Sequence, residues 1–221
     1  MTTTLVALAV VMAVVIGWLV LQTVGVKPWV AQRALAGERP GQGLPLPAIK
    51  LGLGVFMTVA TSLFALCVSA YLMRREGADW RPLAPPAVLW ANTAALVLAS
   101  VFFQRASGAV KSGRAQGLRR ELLAGGAFTL AFLAGQLWAW REFAAAGYYL
   151  TANPANAFFY LLTALHGIHL LGGLWVWGTT LVRSLRGAEV GALRLSVELC
   201  TAYWHFLLAV WVALFGLLLF T

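Results

Sequence analysis

The sequence predicts an all-α fold, a polytopic membrane helical bundle with six transmembrane helices. Of its 221 residues, 61% are hydrophobic and only 10% are charged, whereas soluble domains carry about 25% charged residues. Several apolar runs also reach the roughly 20 residues that a helix needs to cross a hydrocarbon core of about 30 Å. Inside lipid, backbone N–H and C=O groups must be paired within their own element, so we expect these runs to be helices.

Six apolar segments follow one another, at 5–24, 51–73, 87–106, 121–143, 157–182 and 198–220. No positive charge precedes the first, and it is longer than a signal-peptide core, so we interpret it as a transmembrane helix. A Pro- and Gly-rich loop follows it. We therefore divide the chain into 1–50, an extra N-terminal helix with its loop, and 51–221, a five-helix core. After the pair Asn153–Pro154, Asn156 is the expected N-cap of the fifth segment.

The basic residues predict an orientation. Alternate connections between the apolar segments contain 12 of the 16 Lys and Arg residues. Because positive loops stay in the cytoplasm, both termini are expected outside. In a soluble protein the formal net charge of +9 would suggest nucleic acid as a partner. Here the basic residues lie between membrane segments and no nucleic-acid-binding module is recognisable, so we expect no such partner.

Polar side chains within the apolar segments are the candidate functional residues, because a polar group in hydrocarbon is costly. In the fifth segment, Thr163, His166 and His169 are three residues apart and share one side of a helix. In the sixth, Glu198 and His205 are two turns apart and share a face. The third and fourth segments contribute a further set, namely Asn92, Thr93, Ser100, Gln104 and Gln136.

Three interpretations of these side chains compete. Metal or haem ligation needs ligands from facing helices, but the chain has only three histidines and two of them share a helix; Cys67 and Cys200 form no CxxC motif. A proton or solute pathway needs a chain of ionisable groups across the membrane. Glu142 and Glu198 lie near span ends on opposite sides, and no acidic residue within a span lies between those two depths. Hydrogen bonds between helices and to lipid head groups explain every polar residue, and we favour this structural interpretation.

Two motifs carry a family resemblance. The run from Phe158 to Gly173, with His166-Gly167-Ile168-His169 at its centre, resembles a signature of subunit III of the haem-copper oxidases. Glu198, followed by Tyr203-Trp204-His205-Phe206 and Trp211, resembles that family's final helix. Asn92…Ser100…Gln104 and Gln136…Trp140 resemble two earlier helices. The likeness is clear over 87–220, weaker over 51–73 and not evident in the first segment.

The resemblance implies a non-catalytic integral membrane subunit of a proton-pumping oxidase that reduces dioxygen to water. Subunit III binds no haem or copper itself. Haem and copper belong to its partner, catalytic subunit I. Structural phospholipid lies between the helices of subunit III. The resemblance also implies a location in the bacterial inner membrane. It assigns five residues to lipid or interhelical contacts: His166, His169, Glu198, Trp204 and His205. We assign the remaining candidates to subunit packing: Asn92, Ser100, Gln104, Gln136 and Thr163.

The sequence departs from the family at two intramembrane carboxylates, since Ala60 and Leu208 occupy the aligned positions. A direct role in proton handling is therefore not expected. The sequence does not distinguish cytochrome c from quinol as the electron donor, because the donor site lies in other subunits. The alternatives are an accessory membrane subunit of a nitric oxide reductase and a small transporter. A transporter would be expected to have broken helices or inverted repeats, neither of which is evident.

Overall fold

The computed structural model of the protein describes residues 48–83 and 86–220. Within these residues the regular structure is entirely helical, with no strand. All five helices are long and apolar enough to cross a membrane. The predicted first span, 5–24, lies outside the described residues. The helices are α1 (Ala48–Arg74), α2 (Val88–Lys111), α3 (Ala115–Ala145), α4 (Pro154–Leu185) and α5 (Val190–Leu219).

The chain divides into two compact units, 1–56 and 57–221. In the first unit, the described residues are 48–56, at the beginning of α1. In the second, α2, α3, α4 and α5 form a closed ring in which each helix packs against two others. The remainder of α1 contacts α4 through aromatic rings, with Phe64 against His169 and Tyr71 against Phe158.

The helices extend beyond the apolar segments that predicted them. The predicted fourth segment begins at 121, but α3 begins at Ala115; the sixth begins at 198, but α5 begins at Val190. The added turns contain charged residues such as Arg119 and Arg194, which hydropathy alone excludes from a membrane span. A helix can continue past the hydrocarbon core, so apolar length gives a lower bound on helix length.

The predicted N-cap of the fifth segment, Asn156, is wrong. Asn153 caps α4 instead, with an extended backbone and a side chain that accepts a hydrogen bond from the Ala155 N–H. Pro154 explains this, because it favours an extended residue before it and fits the first helical position, where no N–H is needed. Asn156 lies buried within the first turn, and its amide donates to the Tyr149 carbonyl over 3.1 Å.

Two glycines of α3 allow close contacts with neighbouring helices. The sequence offers small residues every four positions at Ala127, Ala131 and Gly135 as a surface for helix approach. Gly135 does lie against the Asn92 side chain of α2, where a Cβ would overlap the amide. Ala127 and Ala131 are exposed. Gly126 instead receives the Trp177 ring of α4, and any side chain there would collide with it.

Candidate functional site

His205 joins α5 to α2 in the middle of the bundle. Its Nδ1 contacts the Ser100 hydroxyl, and its Nε2 lies 3.0 Å from Oε1 of Gln104. If the hydroxyl donates to Nδ1 and Nε2–H donates to the amide oxygen, both nitrogens of a neutral imidazole are satisfied. Ser100 is buried, His205 is half-buried and Gln104 is exposed. This link therefore runs from the core of the subunit to its surface.

Trp204, the preceding residue, joins α5 to α3. It is fully buried, and its indole N–H donates to the Thr129 hydroxyl over 2.9 Å. That hydroxyl donates in turn to the Gly125 carbonyl one turn earlier on α3. The indole also packs against Phe103 of α2, with ring centroids 4.2 Å apart. Trp204 thus contacts two other helices of the ring at once.

His166 lies in a box of aromatic rings. It is fully buried, with its ring centroid 5.8 Å from that of Phe132 and 5.3 Å from that of Trp211, while Phe64 of α1 lies 6.4 Å away. Neither imidazole nitrogen has a hydrogen-bond partner among the described residues. The side chain therefore contributes through ring packing, and Trp211 directs its own indole N–H to Thr93 of α2.

Two polar contacts link the remaining predicted packing residues. Thr163 of α4 accepts a hydrogen bond from the Trp140 indole of α3 over 3.0 Å. Asn92 of α2 donates to Oε1 of Gln136 on α3 over a longer 3.4 Å. Both amide side chains are buried. The structure therefore brings each of these four side chains into contact with a neighbouring helix.

His169 lies one turn beyond His166 and is partly exposed. Its Nδ1 is 2.8 Å from the Leu165 carbonyl of the same helix, and its ring packs against Phe64 of α1. Its backbone carbonyl accepts a hydrogen bond from the Tyr203 hydroxyl of α5 over 3.0 Å. The two histidines thus share one side of α4, as their spacing predicts.

Glu198 forms an ion pair with Arg194, four residues earlier on α5, over 3.0 Å. It lies two turns before His205. A second ion pair at the same end of the bundle joins Arg105 of α2 to Glu121 of α3. The carboxylate of Glu198 is thus partnered near the end of its helix, which is the position from which a lipid head group or a loop can also be reached.

A groove of about 460 Å³ opens where α1 ends and α4 begins. Ala70, Met73, Pro154, Ala157 and Phe158 give it a largely apolar wall, and the Arg74 guanidinium lies at its edge. That guanidinium forms a two-point ion pair with Asp79, with 2.7 Å between Nη1 and Oδ1. The hydrogen bonds from Arg74 lower the pKa of the Asp79 carboxyl, which lies in the connection outside the helices.

The polar side chains of this region make contacts that hold the helices together. Among residues 48–83 and 86–220 no three His, Cys, Asp or Glu side chains come together as a metal site. Both ring nitrogens of His205 are used by Ser100 and Gln104. Cys67 and Cys200 are free thiols. The polar side chains in the middle of the bundle therefore bond mainly to one another across helices.

The sequence interpretation assigned Trp204 to interhelical contacts but missed the hydrogen bonds of Trp140, Trp177 and Trp211 to neighbouring helices. Two tryptophans near the end of a span, such as Trp175 and Trp177, are typical of an interfacial belt, and Trp175, 78% exposed, does face outward. The Trp177 indole instead donates to the Leu122 carbonyl of α3 over 2.8 Å.

Thr93, Thr129 and Thr201 were not singled out as packing residues either. Thr93 and Thr129 accept hydrogen bonds from the indoles of Trp211 and Trp204, and Thr201 donates to the Phe103 carbonyl of α2. Only the three-dimensional pairing of helices reveals these partners.

Comparisons with known proteins agree with this description. The sequence matches the family described as "Cytochrome c oxidase subunit III" over residues 3–220. "Cytochrome c oxidase subunit 3" of Thermostichus vulcanus is 30% identical over 173 residues, which cover 76% of this chain and 85% of that protein. "Probable cytochrome c oxidase subunit 3" of Nocardia farcinica is 28% identical over 204 residues, covering 86% and 94%. Its namesake in Mycobacterium tuberculosis is 29% identical over 179 residues, covering 78% and 87%.

The fold and the contacts define a polytopic membrane helical bundle whose mid-span polar groups bond mainly between helices. The chain belongs to the cytochrome c oxidase subunit III family. The resemblance drawn from the two motifs is thereby confirmed. The resemblance was assigned to too short a part of the chain, because the family match begins at residue 3 and includes the first apolar segment. Motifs reveal only the segments that contain distinctive polar and aromatic residues, and this segment has few.

Proposed function

We propose that this chain is subunit III of a proton-pumping terminal oxidase that reduces dioxygen to water, and that it supports the assembly, lipid retention and stability of catalytic subunit I. Haem and copper belong to that partner. The family match over nearly the whole chain is the observation that carries the proposal. The names of these related proteins favour cytochrome c over quinol as the electron donor of the complex.

The interhelical contacts support a scaffold role. Every candidate residue from the middle of the ring is engaged within the subunit, either by hydrogen bonds, as with His205, or by ring packing, as with His166. A catalytic or proton-conducting chain would need ionisable groups that face a substrate or a water path. Ala60 and Leu208 supply none at the two positions where the family carries carboxylates. A rigid bundle serves a partner by offering it a fixed surface.

Lipid retention follows from the groove between the end of α1 and the start of α4. Its apolar wall suits acyl chains, and Arg74 at its edge suits a phosphate. Glu198, Trp204 and the histidines are assigned to interhelical and lipid contacts as the family resemblance implies. Structural phospholipid is therefore the one ligand we propose for this chain.

Topology and location complete the proposal. We propose six spans, with the first at 5–24, both termini outside and the basic connections in the cytoplasm. Lys111 ends α2, Arg114 lies in the connection from α2 to α3, and Arg186 lies in the connection from α4 to α5. Both connections lie at the same end of the ring, as the positive-inside rule requires of cytoplasmic loops. The proposed location is the bacterial inner membrane.

The test is a pull-down of the tagged chain from native membranes in mild detergent, followed by mass spectrometry and a visible spectrum. We expect a large polytopic membrane partner and haem absorption in the eluate. If the partner is a nitric oxide reductase, the chain is an accessory membrane subunit of that enzyme and the proposed oxidase function is wrong. A colourless eluate without a polytopic partner would refute the proposal.

A matched pair of variants separates a structural role from a catalytic one. His205→Ala removes both hydrogen bonds to α2, so we expect a lower yield of assembled complex, with the haem spectrum per complex unchanged. His166→Phe keeps the ring packing and should leave the yield near that of the wild type. A shifted haem spectrum in correctly assembled His205→Ala complex would place this residue near the metal centres and contradict the scaffold role.

A further inference from the structure

The groove between the end of α1 and the start of α4 lies at the level of the lipid head groups. Arg74 is the last residue of α1, and Pro154 is the first of α4. With 27 and 32 residues, both helices exceed the roughly 20 that cross the hydrocarbon core. Tyr71, Trp80 and Phe158 bring their rings together here, with centroids 5.0–6.3 Å apart, as is typical of the membrane interface.

One charge of each sign lies at the mouth of this groove. The Arg74 guanidinium and the Asp79 carboxylate form a two-point ion pair, yet 43% and 59% of their side chains remain exposed. Because Arg74 lowers the pKa of the Asp79 carboxyl, that group is ionised at neutral pH. A guanidinium has five N–H donors and a carboxylate accepts about four hydrogen bonds, so both groups can bind a ligand while they remain paired.

The connection that contains Asp79 is fixed against the groove. The Asn153 side chain accepts a hydrogen bond from the Arg81 N–H and donates to the Arg81 carbonyl over 2.7 Å, which fastens the connection to the start of α4. A Cβ at Gly77 would overlap Nη1 of Arg74, so the ion pair rests directly on the backbone. A site held in this way loses little conformational freedom when it binds a ligand.

The charge pattern distinguishes between lipid head groups. Clusters of about four to eight Lys and Arg residues bind anionic lipids, whereas the guanidinium that lines this groove is balanced by Asp79. An anionic head group would therefore meet a carboxylate as well as a cation. A zwitterionic head group carries a phosphate and an ammonium, which match Arg74 and Asp79 in sign. A primary ammonium has three N–H donors for the carboxylate, and the quaternary ammonium of choline has none.

We infer that this groove binds a phospholipid with an ethanolamine head group, whose phosphate contacts Arg74 and whose ammonium contacts Asp79. The acyl chains then lie along the apolar wall that includes Ala70, Ala157 and Phe158. The groove volume of about 460 Å³ is within the range of about 300–1,000 Å³ for ligand sites. The inference rests on the lipid retention proposed above and adds the identity of the head group.

Native mass spectrometry of the purified full-length chain tests the head group. The protein in detergent receives equal amounts of phosphatidylethanolamine, phosphatidylcholine and phosphatidylglycerol with identical acyl chains. We expect the ethanolamine lipid to be retained about three-fold over each of the others, as for one partly exposed charge contact. Equal retention, or a preference for either of the other lipids, overturns the inference and leaves the proposed lipid retention intact; a chain that retains no added lipid overturns both.

Three variants, each checked for helical content by circular dichroism, assign the preference to this groove. Asp79→Asn leaves the Arg74 charge unbalanced, so the preference should pass to phosphatidylglycerol. Ala157→Phe fills the groove and should reduce retention of the ethanolamine lipid to that of phosphatidylcholine. Arg81→Gln is the matched control, because Arg81 is an exposed arginine of the same connection that does not line the groove. An ethanolamine preference that survives Asp79→Asn or Ala157→Phe, or that is lost equally in Arg81→Gln, overturns the inference.

Discussion

The hydrogen bond from the Trp204 indole to the Thr129 hydroxyl permits a quantitative test of how the ring is held together. Thr129→Val removes the acceptor at nearly constant volume and leaves the indole N–H buried without a partner. The Trp204 side chain is fully buried and the bond measures 2.9 Å. A buried donor left unsatisfied costs about 1–3 kcal/mol, and we expect that loss in the free energy of unfolding.

Trp204→Phe tests the same bond from the other side. It removes the N–H together with part of the ring that packs on Phe103, and it leaves a cavity. The cost should remain below the about 3–5 kcal/mol typical of truncating a buried aromatic to alanine. The Thr129 hydroxyl is not stranded in this variant, because it still donates to the Gly125 carbonyl.

The double variant isolates the bond itself. Interhelical hydrogen bonds in membranes contribute about 0.6–2 kcal/mol, so the double variant should lose less than the sum of the two single losses by about that amount. The assay is unfolding of the purified chain by SDS in lipid–detergent bicelles, followed by circular dichroism. Additivity of the two losses to within about 0.3 kcal/mol would refute the assignment of this contact as a coupled hydrogen bond.

Three further predictions follow. Gly126→Leu should destabilise the ring by about 1–3 kcal/mol, because its side chain overlaps the Trp177 ring; an unchanged SDS midpoint would contradict this close contact. His166→Phe should change stability by less than about 1 kcal/mol, because both ring nitrogens lack partners and replacement by an apolar group of similar shape is nearly neutral; a larger loss would mean that the imidazole is hydrogen-bonded in the membrane. The Asp79 carboxyl should titrate below the usual pKa of about 3.9, so the contribution of its ion pair with Arg74 is present at neutral pH and is lost as the pH falls through that lowered pKa. Carbon-13 NMR of the carboxyl tests this, and Arg74→Gln should raise the pKa; an unchanged value would refute the cause.

The fold was predictable to the extent that membrane solvation determines it. Apolar length located the cores of the five described spans, because hydrocarbon admits only helices with internally paired backbones. The helix ends were not predictable in this way. The first two turns of α3 and α5 contain Arg119 and Arg194 and extend past the apolar segment. The start of α4 is determined by Asn153 and Pro154.

The candidate site was predictable by residue type but not by partner. The free-energy cost of a polar side chain in hydrocarbon was enough to identify Gln104, His205 and Thr163 as residues that need a hydrogen bond. Hydropathy does not say which helices are neighbours, so the link from His205 to Ser100 and the link from Trp140 to Thr163 appear only in the folded ring. The exposed amide of Gln104 is likewise invisible in the sequence, because exposure depends on the packing of α2 against α5.

One spectroscopic comparison tests the central claim most directly, namely that this chain carries no haem of its own and binds a partner that does. The tagged chain is purified once from its native membranes and once after expression alone in lipid, and reduced-minus-oxidised visible spectra are recorded for both. We expect haem absorption, together with a polytopic catalytic subunit, in the native preparation and no Soret band in the chain expressed alone. A Soret band in the isolated chain, or a colourless native preparation, would contradict the account.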